Sequence, residues 1–283
     1  MSKLYSLVFS FSLAVGTASA AGVTPALLNL VMPDATVVSG INVAQSITSP
    51  FGQYILSQMQ SPDAGFLQFI SATGFDPRKD LLEVLAATPS TGSTSASGLI
   101  LGRGVFQPAM IIGAATEKGG TVTNYKGFSL IGQTGQTQAL TFLDGSTAAI
   151  GDIASVEGAI DRKLAGAKFS GALANTAIAV SAANSAWFAT TTPLSDFMST
   201  KQAGNLSGVA QSPLLQSVQQ ASGGVQFATA GIILSADAVT ASPQNAQALV
   251  DVLKFFVSMI AGNANAPSGV ASVASSAQFS VNG

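Results

Sequence analysis

The sequence predicts an α+β fold: antiparallel sheets with helices packed on one face, arranged as two similar α+β halves. Three observations predict it. Hydroxyl residues stand directly before proline at five places, apolar residues alternate over short runs bounded by turn residues, and two segments repeat apolar residues at helical spacing. A serine or threonine side chain accepts from the first free amides of a helix, and proline fits the first helical position because no partner is lost with its N–H. Ser49-Pro50, Ser61-Pro62, Thr192-Pro193, Ser212-Pro213 and Ser242-Pro243 therefore each start a helix. The first two cover Phe51 to Met59 and Phe66 to Ala72.

The strands follow from alternation and turns. Pro33-Asp34 turns into a buried strand from Ala35 to Ile41. The pattern of Asp80 to Ala87 fits a helix or a strand, and its short apolar run bounded by turn residues favours the strand. Thr88 to Gly98 is rich in Ser, Thr and Gly and reads as a flexible connection. Leu99 to Phe106 is a strand, Pro108 to Glu117 a helix ended by Gly119-Gly120, and Thr121 to Ile131 a single alternating strand. Ala139 to Leu143 and Thr147 to Gly151 flank Asp144-Gly145, a pair suited to a tight hairpin. Ile153, Val156, Ile160 and Leu164 then share one helical face. In the second half, Ala186 to Thr191, Val225 to Ala228 and Ile232 to Val239 read as strands. The longest helix, from Pro243 to Ala261, sets Leu249, Val252, Leu253, Phe256 and Ile260 on one stripe, and the tail from Gly269 to Gly283 has weak strand character. The hairpin–helix units near 139–164 and 225–261 fit either a duplication or the same grammar arising twice.

The chain begins Met1-Ser2-Lys3, continues with an apolar run from Leu4 to Val15, and reaches Ala18-Ser19-Ala20. A positive start, a short apolar stretch and small residues at the cleavage positions make a secretory signal peptide, cleaved after Ala20. The run is short for a membrane anchor. The organisation expected is a signal peptide at 1–20, an N-terminal half at 21–165 and a C-terminal half at 166–283, with the halves free to form one continuous domain. The destination expected is periplasmic or secreted.

Of 283 residues, 47% are hydrophobic and 8% charged, a balance that favours a folded core over disorder. Lysines and arginines number 11 against 13 acids and form no basic stripe, so no nucleic-acid partner is expected. Arg78-Lys79 and Arg162-Lys163 read as solvated helix ends or loops. No transmembrane segment is expected in the mature chain: Leu249 to Ile260 carries Asp251 and Lys254 and reads as an amphipathic core helix.

The chain contains no histidine and no cysteine. Disulfides, a lipid-anchored cysteine, a Ser-His-Asp triad and a thiolate nucleophile are all excluded, and so are the usual zinc, copper and haem ligand sets. No cofactor, metal site or catalytic residue is expected. Ser-x-x-Lys, which would place both side chains on one helical face, does not occur. Asp144, Asp152, Glu157 and Asp161 cluster in sequence, but the first suits a turn, the second a helix cap and the last two an exposed helix face. Three residues stand out as candidates for binding. Arg103 is a charge in an apolar strand, read as facing outward, with a buried ion pair or anion site as the alternative. Trp187, beside Phe188, could line a pocket with Tyr125 and Tyr54; adjacent strand residues face opposite sides, so one of the pair reaches solvent.

The runs from Pro33 to Asn42, Gly74 to Leu81 and Gly102 to Phe106, together with Tyr125-Lys126-Gly127 and the stretch from Phe142 to Arg162, resemble exported bacterial proteins of unknown function that carry a signal peptide and repeated α+β modules. The resemblance implies a fold and an envelope location and transfers no functional residues. The function expected is a non-enzymatic binding or envelope-assembly role with an envelope protein as partner. The alternatives are a hydrolase using paired carboxylates or Ser/Lys, and a small-molecule carrier with a pocket between the halves.

Overall fold

A computed structural model describes residues 5–11, 22–50, 52–53, 64–89, 98–193, 216–228, 231–261 and 276–282. Strand β1 spans Tyr5–Phe11, inside the segment read as a signal peptide. Helix α1 (Pro25–Leu28) leads to β2 (Ala35–Asn42) and α2 (Val43–Thr48). Helices α3 (Ala64–Thr73) and α4 (Pro77–Asp80) precede β3 (Leu81–Pro89) and β4 (Leu99–Gly104). Next come α5 (Pro108–Glu117), β5 (Thr121–Tyr125), β6 (Phe128–Gly132), β7 (Gln138–Phe142), β8 (Thr147–Asp152) and α6 (Ile153–Ala165). The chain continues through α7 (Ala172–Ala183), β9 (Ala186–Thr190), β10 (Val218–Ala228), β11 (Gly231–Thr240), α8 (Pro243–Ala261) and β12 (Ala277–Asn282).

The α+β class is as expected, and the proline grammar places α3 and α8. Ser242 Oγ accepts from the Asn245 amide at 3.2 Å at the start of α8. Proline also takes the first helical position in α1, where Thr24 precedes it without a side-chain cap, and in α4, where the Asp76 carboxylate accepts from the Arg78 amide. Helices expected after Pro193 and Pro213, the body of the one expected after Pro50 and the connection at 90–97 lie outside the described residues.

All strands join one sheet in the order β12-β1-β11-β10-β9-β2-β3-β4-β8-β7-β6-β5, antiparallel throughout. The two halves meet where β2 pairs with β9, from Val37↔Thr190 to Ile41↔Ala186. Thr121 to Ile131 is a hairpin rather than one strand: Lys126 and Gly127 both take positive φ, 49° and 92°, which turns β5 tightly back into β6.

Two cores lie on opposite faces of this sheet. On one face Val38, Leu85, Leu101, Ala149 and Ala189 pack beneath α1, α6 and α7. On the other, α8 sets Leu249, Val250 and Leu253 against Val218, Ala221, Ala238 and Phe279. The register separates the faces, because Ala189 pairs with Ser222 and not with Ala221. Each core is thus covered from one side only, and the two cores use opposite sides. Counting strands from β7 to β10, the hairpins β7–β8 and β10–β11 run the same way, yet their helices go to opposite faces. The two units therefore have opposite hand and are not copies of one another in space.

The helical stripes differ in detail from the sequence reading. In α6, Val156, Ala159 and Ile160 are buried, while Ile153 and Leu164 are exposed. In α8 the buried row is Ala246, Leu249 and Val250, and Val252 lies outside it. Alanines that the apolar pattern discounts sit at the close contacts with the sheet. Among the described residues, no helix is long and apolar enough to cross a membrane.

Candidate functional site

Helix α7 reads ALANTAIAVSAA, and Leu173, Ala174, Ala177 and Val180 fix one side of it over β9 and β2. Beyond β9 the same sheet face continues onto β10 and β11, where Ser222, Ser235 and Asp237 project. A cleft of about 640 Å³ opens between this strand pair and the free side of α7. Its polar lining includes Asn175, Asn184, Gln220, Ser222 and Ser235, and among the described residues Asp237 is the one charged side chain on it.

Hydrogen bonds tie the end of α7 to the strand pair. Asn184, buried, donates from Nδ2 to the Val180 carbonyl at 2.8 Å and accepts from Ser235 Oγ at 3.1 Å. The Ser185 amide donates to the Val225 carbonyl at 2.8 Å. This approach requires glycine on β10: a Cβ on Gly224 would lie 2.5 Å from the Asn184 side chain and 2.5 Å from the Ala186 carbonyl oxygen.

Asp237 sits in mid-strand between Ser222 on β10 and Val8 on β1. It makes no ion pair among the described residues, and burial pushes its carboxyl above the usual carboxylate range. The folded chain holds this proton more readily than the unfolded chain does. Between the ordinary and the raised values the native state carries the extra proton, so the contribution of Asp237 to stability falls as pH rises through that window and is regained as pH falls. Asp237→Asn is therefore expected to be more stable than the parent at about pH 7 and to lose that advantage near pH 4, read from urea midpoints across pH.

Four other carboxylates named in the sequence are engaged. Asp144 accepts from Lys163 Nζ at 2.6 Å and from the Ser146 amide at 2.9 Å; partial burial opposes its ionisation, but these bonds outweigh it and hold the carboxyl well below its usual range. Asp152 caps α6 through the Ser155 amide at 3.0 Å. Asp161 accepts from Lys126 Nζ at 2.7 Å, which holds its carboxyl below the usual range. Asp76 accepts both Nε and Nη2 of Arg78 at 2.9 Å, and Arg78 holds it low in turn. Among the described residues the cleft thus offers one protonatable carboxyl beside amides and hydroxyls, with no second acid, lysine or arginine. Such a wall can orient a polar ligand by hydrogen bonds, and it lacks the acid–base pair that turnover of a glycoside needs. Among the described residues no three metal-ligating side chains converge.

No protein-family model and no curated protein sequence matches this chain. Its backbone is similar to three solved crystal forms of TP0453, III, I and IV, with TM-scores of 0.47, 0.43 and 0.44 at 11%, 11% and 10% sequence identity. The alignments cover 72%, 73% and 81% of this chain and 75%, 74% and 97% of those chains.

The three binding candidates from the sequence lie on three separated strands and none lines the cleft. Arg103 on β4 does not face outward: its Nε donates to Glu83 Oε2 at 3.1 Å, and the buried Glu83 also accepts from the Thr24 amide at 2.9 Å and from the Thr24 hydroxyl. The ion-pair alternative is the one realised. Trp187 on β9 is a core residue, and Phe188 takes the solvent side of that pair. Tyr125 on β5 packs against the core edge and donates to Asp161 Oδ2 at 3.2 Å. Arg162 also departs from its reading as a solvated end. It is half-buried, donates from Nε to the Leu30 carbonyl at 2.8 Å, and borders a second cleft of about 520 Å³ with Asn29, Lys168 and Ser170.

Sequence reasoning missed Asp237 because an acid in an alternating strand reads as a surface residue. The available signal was the run Ser235-Ala236-Asp237-Ala238, in which small residues leave room beside the carboxyl.

Proposed function

We propose that this chain is an exported bacterial protein that works by binding, with the cleft under α7 as its recognition site. The observation that carries the reading is the isolation of Asp237. It is a carboxyl without an ionic partner among the described residues, in a cleft that sets amides and hydroxyls among alanines and valines, whereas the other acids discussed above serve pairs, caps and turns. The leader pattern at 1–20 supports export, and the missing imidazole and thiol groups support recognition over turnover. An envelope protein, or a ligand it presents, is the partner this location supplies. The polar lining residues of the cleft all fall between Asn175 and Asp237, so recognition is assigned to the C-terminal half and not to a pocket between the halves.

The test is a thermal-shift screen of polar small molecules and envelope fragments against the processed protein, run beside ester, glycoside and peptide substrate panels. A ligand present at about 100 times its Kd adds about 2.7 kcal/mol of stability, which a melting scan resolves. The expected hit stabilises the parent chain and loses at least about tenfold in affinity in Asp237→Asn, the same variant expected to be more stable without ligand. Turnover of any panel substrate at an enzyme's rate would replace this reading with the hydrolase.

A further inference from the structure

Strand β1 occupies an interior position of the sheet. Residues Tyr5 to Phe11 pair with Thr240 to Leu234 on β11, and residues Ser6 to Phe11 pair with Asn282 to Ala277 on β12. These are the residues that the proposed export reading removes. Their loss takes both ladders at once. It leaves β11 and β12 two strand spacings apart, about 9.5 Å, each with a row of unpaired backbone groups. The vacancy has a floor, because α8 packs across β11, β1 and β12 and joins Leu249, Leu253 and Phe279 into one apolar cluster.

The geometry points to this vacancy as a strand-acceptor groove: in the processed protein an extended segment of a partner protein enters between β11 and β12 and pairs with both. The inference rests on the proposed loss of residues 1–20. The present occupant defines the chemistry of the next one. It is extended over seven residues, contains no proline, runs antiparallel to both neighbours, and alternates Tyr5, Leu7, Phe9 and Phe11 with Ser6, Val8 and Ser10. In register, Leu7 and Phe9 lie between Ala238 and Ala236 on β11 and Val281 and Phe279 on β12. A partner segment should therefore carry large apolar residues at alternate positions and small ones between. Main-chain pairing on two sides supplies affinity, and the alternate side chains supply selectivity. An inserted strand restores both ladders. Closure of β12 directly onto β11 restores one, and only as a parallel pair, since both now run antiparallel to β1.

The test uses protein recovered outside the cytoplasm, with its N-terminus read by intact mass. Hydrogen exchange is followed in Gly231–Thr240 and Ala277–Asn282, with and without a synthetic peptide of residues 2–12. A second peptide carries Val8→Pro, which removes a ladder donor in mid-strand. The expected result is fast exchange in both segments without peptide, slowing by about tenfold or more with the parent peptide, and no slowing with the proline peptide. Slow exchange that the parent peptide leaves unchanged, in a chain beginning at Ala21, would mean that β12 has closed the gap and would overturn this inference alone. A chain recovered there but still beginning at Met1 would overturn the cleavage on which the inference rests, and the groove with it, because the slot would never empty.

Discussion

The Glu83→Ala chain is expected to be about 3 kcal/mol less stable than the parent, measured from urea unfolding curves. Glu83 is 5% exposed on β3 and accepts from three donors: the Thr24 amide, the Thr24 hydroxyl and Arg103 Nε. Alanine leaves the Arg103 guanidinium without its anion and the first residue before α1 without its acceptor. Removing one member of a buried pair costs roughly 3–5 kcal/mol, and the lower end applies because the Arg103 side chain keeps 34% of its surface in water. The double variant Glu83→Ala with Arg103→Met is expected to recover part of the loss, since no orphan charge remains. A double variant no better than Glu83→Ala alone would mean that the Thr24 contacts, and not the ion pair, carry the effect.

Trp187→Ala is expected to cost about 3–5 kcal/mol, the range for deleting a large buried aromatic side chain. Trp187 is 7% exposed, and its ring lies over Gly40, its cross-strand partner. A Cβ on Gly40 would stand 2.7 Å from Trp187 Cζ2. Gly40→Val is accordingly expected to cost about 1–3 kcal/mol by overpacking. It is also expected to shift the emission of this chain's single tryptophan towards the red as the ring is displaced. The two changes should be less than additive, because valine at 40 grows into the space that alanine at 187 vacates. Unfolding followed by circular dichroism reads both variants. Full additivity would show that the ring and the glycine do not share a site.

Local chemistry was the legible part of this fold. Ser242-Pro243 and Asp152 cap helices through amides three residues on, and Asp144 forms its turn through the Ser146 amide, each in the role its spacing indicates. Arg103 was legible too, although its charge drew the wrong reading. It shares strand parity with the buried Leu99 and Leu101, and Glu83 shares parity with Leu85, so alternation alone aims both inward. Other elements leave little trace. Helix α7 is apolar or small almost all round, so no period marks its buried side. The turn at Lys126 puts a lysine at positive φ, where asparagine or glycine is the usual cue. The cleft depends on non-local pairing: Asn175 and Asp237 meet only because β9, β10 and β11 lie side by side, and no pattern within one segment encodes that order.

β1 is the sharpest case. Tyr5 to Phe11 satisfies the composition of a leader's apolar region and of an alternating strand together, because both need short runs of large apolar residues without charge. Its fate therefore decides between a sheet that keeps its first strand and a mature protein that releases it. The most direct measurement is cell fractionation followed by intact mass of the protein in each fraction. The expected result is that the bulk of the protein lies outside the cytoplasm and has a mass corresponding to a start at Ala21. Protein confined to the cytosol, with Met1 to Ala20 still attached, would contradict it.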